Sequence, residues 1–211
     1  MEKYKKVAII VAHPDDETLW AGGTILNHPE WECFIVTLCR KSDPDRAPKF
    51  HRVLKEFNAN GDMGDLDDGA EQIPLAARQV QLELLQLLPA TDFNLILTHN
   101  PHGEYTTHIR HQEVSQAVIN LWYNSAIVTA ELWVFAYEDQ NRHYFPKTVP
   151  AADLHFSLAL KIWKHKYDII TKLYGFNKDS WEAQTTPKEE AFWQFSDPKI
   201  AFKWLKDQQK L

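Results

Sequence analysis

Five apolar residues in a row, Val7 to Val11, follow a lysine-rich start and run into Ala12-His13-Pro14. A run this short and this uniformly apolar reads as a strand buried on both faces, as in a parallel sheet. It predicts a first strand over 6–12, and similar runs predict strands at 33–39, 93–98 and 131–137. Between them the apolar spacing turns helical. Helices are expected near 18–28, near 48–59, at 75–88 and from 108 onward, where Val114, Val118, Leu121 and Trp122 continue the pattern. In the third of these, Ala77, Val80, Leu84 and Leu87 share one face and leave Arg78, Gln79 and Gln86 outward. Strand and helix in alternation predict an α/β, Rossmann-like three-layer fold with a mainly parallel sheet. Ligands of such sheets collect beyond the carboxyl ends of the strands.

Two of those strand ends carry unusual chemistry. The first strand delivers His13, Asp15, Asp16 and Glu17 within five positions. Asp15 or Asp16 could N-cap the helix that follows, but capping needs a single acceptor and explains neither the second carboxylate nor the histidine. Packed carboxylates cost electrostatic free energy unless a cation or proton compensates them. A metal ion is the economical explanation. Beyond the strand at 93–98, four histidines fall between positions 99 and 111: His99, His102, His108 and His111. His108 and His111 are three apart and share a helix face, with Thr106 or Thr107 as the expected N-cap. His99 and His102 suit loop roles as readily as metal binding. Two histidines and a carboxylate leave coordination positions open, the mark of a catalytic site, and the same donor types fit a non-heme Fe(II) centre.

The pattern Ala12-His-Pro-Asp-Asp-Glu17, then Ala21-Gly-Gly23, Gly103-Glu-Tyr105 and His108-x-x-His111, resembles the LmbE-like (PIG-L) metal-dependent N-deacetylases. The likeness extends to about residue 140. It implies that His13, Asp16 and His111 bind Zn²⁺, with Fe²⁺ as the alternative. It further implies that Asp15 is the general base and that His108 faces the reacting carbonyl, where a protonated imidazole would steady the oxyanion and then supply the leaving amine. Asp68 and Arg52 are the matches to residues of the family's substrate pocket. The implied reaction removes an acetyl group from the amide nitrogen of an N-acetylglucosamine-type small molecule. The competing expectation is a catalytically silent ligand-binding module of the same fold.

Composition narrows the partners. The net charge is −6 and no basic stripe appears, which argues against nucleic acid. No stretch approaches the roughly 20 apolar residues of a membrane span, and no apolar leader precedes the first strand. Cys33 and Cys39, set about 20 Å apart by a strand at 33–39, cannot form a disulfide with each other, and free thiols fit a cytoplasmic protein. At 211 residues and 44% hydrophobic content, the chain is expected to form one domain over 1–211. Gly22-Gly23 sits inside a predicted helix and reads as close helix–sheet packing. The segment 61–69 lacks the spacing of a calcium loop. The part from 146 to 211 departs most from the family and is dense in aromatics: Tyr167, Tyr174, Phe176, Trp181, Phe192, Trp193, Phe195 and Trp204. They are expected in the core, with a sugar-stacking wall or a homo-oligomer interface as alternatives.

Overall fold

A computed structural model describes residues 5–105 and 108–208. The chain begins with β1 (Lys6–Val11), α1 (Asp16–Asn27), β2 (Glu32–Thr37), α2 (Arg46–Glu56) and β3 (Asn60–Met63). It continues through α3 (Ala77–Leu87), β4 (Asp92–Thr98), α4 (Ile109–Tyr123) and β5 (Val128–Phe135). A small hairpin follows, β6 (Tyr137–Glu138) with β7 (Lys147–Thr148), then β8 (Leu154–Ser157) and α5 (Leu160–Asp168). A π-helical turn, Ile169–Leu173, extends α5 and leads to α6 (Trp181–Thr185), β9 (Glu189–Phe195) and α7 (Pro198–Gln208).

The main sheet runs β3-β2-β1-β4-β5-β9-β8. Its first five strands are parallel, and β9 and β8 close it antiparallel. Side chains alternate across a strand, so β1 feeds both layers. Val7, Ile9 and Val11 pack in one core with Trp20, Phe50, Val53 and Tyr174. Ala8 and Ile10 pack in the other with Val80, Leu84, Val118 and Leu205. This is the expected three-layer architecture. Chain order reverses between β1 and β4, and at such a switch point the two connections leave in opposite directions and open a crevice. His13 and His99 flank that crevice.

Four features lay beyond the apolar pattern. β3 is short and polar, and its Gly61 is required because a Cβ there would lie 2.3 Å from the Ile35 carbonyl oxygen of β2. β8 and β9 supply an antiparallel edge that the alternation of strands and helices does not announce. Gly22 and Gly23 let α1 approach the β8–α5 segment beside the sheet: a Cβ on Gly23 would meet Leu158 at 2.4 Å. That segment is clasped by a buried ion pair, Lys166 Nζ to Glu190 Oε1 at 2.6 Å. Glu190 also accepts from the backbone N–H groups of Gly23 (2.7 Å) and Thr24 (2.6 Å).

Tyr174, Phe192 and Phe195 are core residues, as the dense aromatics predict. Both cysteines are free and buried, and Cys39 lies just past the end of β2. Among the described residues no helix is long and apolar enough to cross a membrane.

Candidate metal centre

β1 ends at Val11 and Pro14 halts strand pairing, so the chain turns at once into α1. Asp15 sits in that turn at φ 114°, a conformation rare for any residue but glycine. Its backbone N–H is held by Glu17 Oε2 at 3.0 Å, and Glu17 is itself buried and accepts from Tyr174 Oη at 2.7 Å. Neither carboxylate is spent on capping, because the α1 N-cap makes no side-chain hydrogen bond. The strained turn instead sends Asp15 and Asp16 in different directions. Asp16 turns inward, where its Oδ1 accepts from Trp20 Nε1 at 3.1 Å and its Oδ2 from the His13 backbone N–H at 2.9 Å.

His111, one turn into α4, meets Asp16 from across the crevice. Asp16 Oδ2, His13 Nδ1 and His111 Nε2 form a triangle with sides of 3.2, 3.3 and 3.3 Å. Ligands about 2.0–2.1 Å from a tetrahedral Zn²⁺ lie about 3.3–3.4 Å apart, so these three atoms fit one face of such a site. The second ring nitrogen of each histidine faces a carboxylate, the arrangement that fixes ring orientation in metal sites. His13 Nε2 lies 3.3 Å from Asp68 Oδ1, and His111 Nδ1 lies 2.6 Å from Glu104 Oε2.

His108 (with His13 and His111) and His99 (with Asp16 and His111) also bring donor atoms within 4.8 Å of one another, so their other partners decide their roles. His99 is stacked on His111 with centroids 3.9 Å apart, but its Nε2 accepts the Ala12 backbone N–H at 2.9 Å and its Nδ1 meets Glu104 at 2.8 Å. Both nitrogens are spent. His102 turns away to Gln208 at 2.9 Å. His108 occupies the N-cap position of α4, and its Nδ1 is buried with no hydrogen-bond partner among the described residues. Thr106 and Thr107, the expected caps, lie outside the described residues.

The electrostatics divide the two adjacent aspartates. Burial pushes the Asp15 carboxyl well above the usual range, the neighbouring Asp16 charge adds to this, and Arg46 opposes it with Nη1 3.3 Å from Oδ2. Burial works against Asp16 as well, yet His111 and His99 outweigh it and hold its carboxyl well below that range. Glu104 is fully buried, and the same two imidazoles bring it to about 2 despite desolvation. His108 is depressed to about 3, first by burial and then by His111 and His13. Burial and the neighbouring imidazoles thus favour its neutral form, against the expectation of a protonated imidazole.

His13, Asp15, Asp16 and His108 line a cleft of about 410 Å³ that Arg40, Arg46, Tyr105 and Trp181 complete. Asp68 lies inside it, fixed by Arg40 and by Gln72 at 3.1 Å. Arg52 does not, and this is a second correction. Six residues carry it about 120° around α2 from Arg46, away from buried Phe50 and Val53 and out to solvent. Arg46 precedes the helix start expected near residue 48, so the apolar pattern does not mark it. Glu104 was visible only as part of the Gly103-Glu-Tyr block.

Known structures share this fold. The N,N′-diacetylchitobiose deacetylase of Pyrococcus horikoshii superposes with a TM-score of 0.67 at 15% identity, over 92% of this chain and 85% of its own. A deacetylase of teicoplanin biosynthesis gives 0.60 at 12% identity, over 90% and 96%. The chain has the LmbE-like fold. The 4-carboxy-2-hydroxymuconate hydratase of Pseudomonas putida shares the LmbE-like fold at 13% identity, with a TM-score of 0.60 over 90% and 95%. No protein-family model matches the sequence. A relative of unassigned role in Acanthamoeba polyphaga mimivirus is 23% identical over 176 residues, 77% of this chain and 75% of its own. Since the LmbE-like fold carries both deacetylases and a hydratase, function must be argued from the site.

Proposed function

We propose that the protein is a metal-dependent hydrolase that removes an acetyl group from the amide nitrogen of an N-acetylglucosamine-type small molecule. The observation that carries this reading is the triangle of His13, Asp16 and His111 donor atoms with Asp15 beside it but outside it. A divalent metal there, Zn²⁺ or Fe²⁺, would supply Lewis acidity, lowering the pKa of water and polarising the amide carbonyl.

The chain's own groups account for the protons. Asp15 takes a proton from water as the water oxygen attacks the carbonyl carbon and the C=O π pair moves onto oxygen. Neutral His108 donates an N–H hydrogen bond to that developing charge, the kind of donor whose loss costs about 10²–10³ in rate. The oxyanion pair then re-forms C=O as the C–N bond breaks, the amine nitrogen receives the proton held by Asp15, and a free amine and acetic acid result, the acid losing its proton to solvent as acetate. Arg46 keeps the Asp15 carboxylate available and Asp68 holds the His13 ring. The buried, unpaired cysteines, with the Cys33 thiol pushed up to about 12 by burial, support a reducing, cytoplasmic setting.

Acetate release from a panel of N-acetylglucosamine conjugates, before and after chelation, tests the reading. Release that stops on chelation and returns with metal is expected. No release from any amide by metal-loaded protein, with hydration of an unsaturated carboxylate in its place, would move the chain to the hydratase chemistry of its structural neighbour.

A further inference from the structure

Beside the metal cleft lies a second cavity of about 760 Å³. Tyr105 and Trp181 line both spaces, with their rings edge to face at 4.6 Å. The outer walls come from the turn joining β6 to β7, which contributes Arg142, Tyr144 and Phe145, and from Lys147 at its end.

This turn is built to one shape. Gln140, Asn141 and Arg142 have φ of 45°, 57° and 68°, three consecutive non-glycine residues in the left-handed region. Each costs roughly 1–2 kcal/mol, and strain of this kind gathers at ligand clamps and active sites. Tyr144 Oη donates to Glu138 at 2.7 Å, and the His143 N–H reaches back to the Gln140 carbonyl at 3.4 Å. The strained turn leaves Phe145 42% exposed at the cavity instead of in the core.

The cavity pairs aromatic faces with positive charge. Arg142 makes no ion pair among the described residues, and Lys147 lies 4.4 Å over the Tyr144 ring. Asp139 is the one carboxylate among the described lining residues. A neutral sugar makes little use of this excess of positive charge. An aromatic ring with an anionic substituent uses both features.

We propose that this cavity receives the part of the substrate beyond the scissile amide, an aromatic ring bearing a carboxylate. The proposal rests on the N-acyl hydrolase reading of the adjoining cleft. It makes Phe145 and Arg142 specificity residues that touch no reacting atom.

Three probes separate its parts: the methyl, 4-methylphenyl and 4-carboxyphenyl glycosides of N-acetylglucosamine, offered to the metal-loaded protein. Binding is read by calorimetry and turnover by acetate release. The 4-carboxyphenyl probe should bind on the order of tenfold tighter than the methyl glycoside, as one good aromatic contact allows. Phe145→Ala should erase the gain from the ring. Arg142→Gln should erase only the difference between the two aryl probes. Both side chains are exposed, so the fold should be unchanged. Equal binding of all three probes, or a gain that survives both variants, overturns the proposal. Aryl binding that depends on Phe145 and Arg142 without acetate release upholds the cavity and refutes the deacetylase reading instead.

Discussion

Glu104 Oε2 lies 2.6 Å from His111 Nδ1 and 2.8 Å from His99 Nδ1, so one buried carboxylate orients two stacked imidazoles. Only His111 has its other nitrogen free for a metal, because His99 Nε2 accepts the Ala12 N–H. Glu104→Gln should therefore weaken metal binding about 10–100-fold, the usual cost of losing a group that orients a ligand. Chelator competition reads this directly. Unchanged affinity would mean that His111 is held without Glu104.

The two adjacent aspartates should fail in different ways. Asp16→Ala removes a triangle atom and should abolish stoichiometric metal binding. Asp15→Asn should keep the metal and lose about 10²–10⁴ in kcat, the range for loss of a positioned base. Metal content by plasma mass spectrometry, measured beside turnover, separates the outcomes. An emptied site in Asp15→Asn would make Asp15 a ligand.

The acid limb of kcat/KM carries a signed prediction. Burial and the Asp16 charge raise the Asp15 pKa while Arg46 lowers it. The base works deprotonated, so activity falls as pH drops through that raised value. Arg46→Met removes the lowering influence and should move the acid limb to higher pH. A limb that stays in place or moves down would show that Asp15 is not the titrating base.

Stability should report the clasp between α1, α5 and β9. Glu190→Ala strands the Lys166 ammonium, which is fully buried, and should cost about 3–5 kcal/mol. For a chain of this length that is a fall in Tm on the order of 10 °C. Lys166→Met should cost less, since Glu190 keeps the Gly23 and Thr24 donors. Thermal unfolding of the two variants checks the order, and equal losses would contradict it.

Much of this architecture was legible in the apolar runs, because buried parallel strands such as Val7–Val11 announce themselves by composition. β3 was not, since a four-residue edge strand with Asn60 and Asp62 carries no such signal. The antiparallel closure by β8 and β9 was hidden for a related reason: β8 alternates half-buried and exposed positions in only four residues. At the site, the His13 and Asp16 block and the His108 and His111 pair stood out because ligand types cluster in sequence. Arg46 and the orienting role of Glu104 did not, and Trp181 was one aromatic among eight, as each reaches the cleft through a tertiary approach that spacing cannot reveal. Arg52 shows the converse, a residue of the right type on the wrong face of its helix.

The central claim is that His13, Asp16 and His111 alone hold the metal, leaving Asp15 and His108 for the proton chemistry. An anomalous difference map from crystals of metal-loaded protein tests it most directly. The account predicts one peak per chain, about 2.0–2.2 Å from His13 Nδ1, Asp16 Oδ2 and His111 Nε2. A peak bound by His99 or by Asp15, or no peak within the triangle, would contradict it.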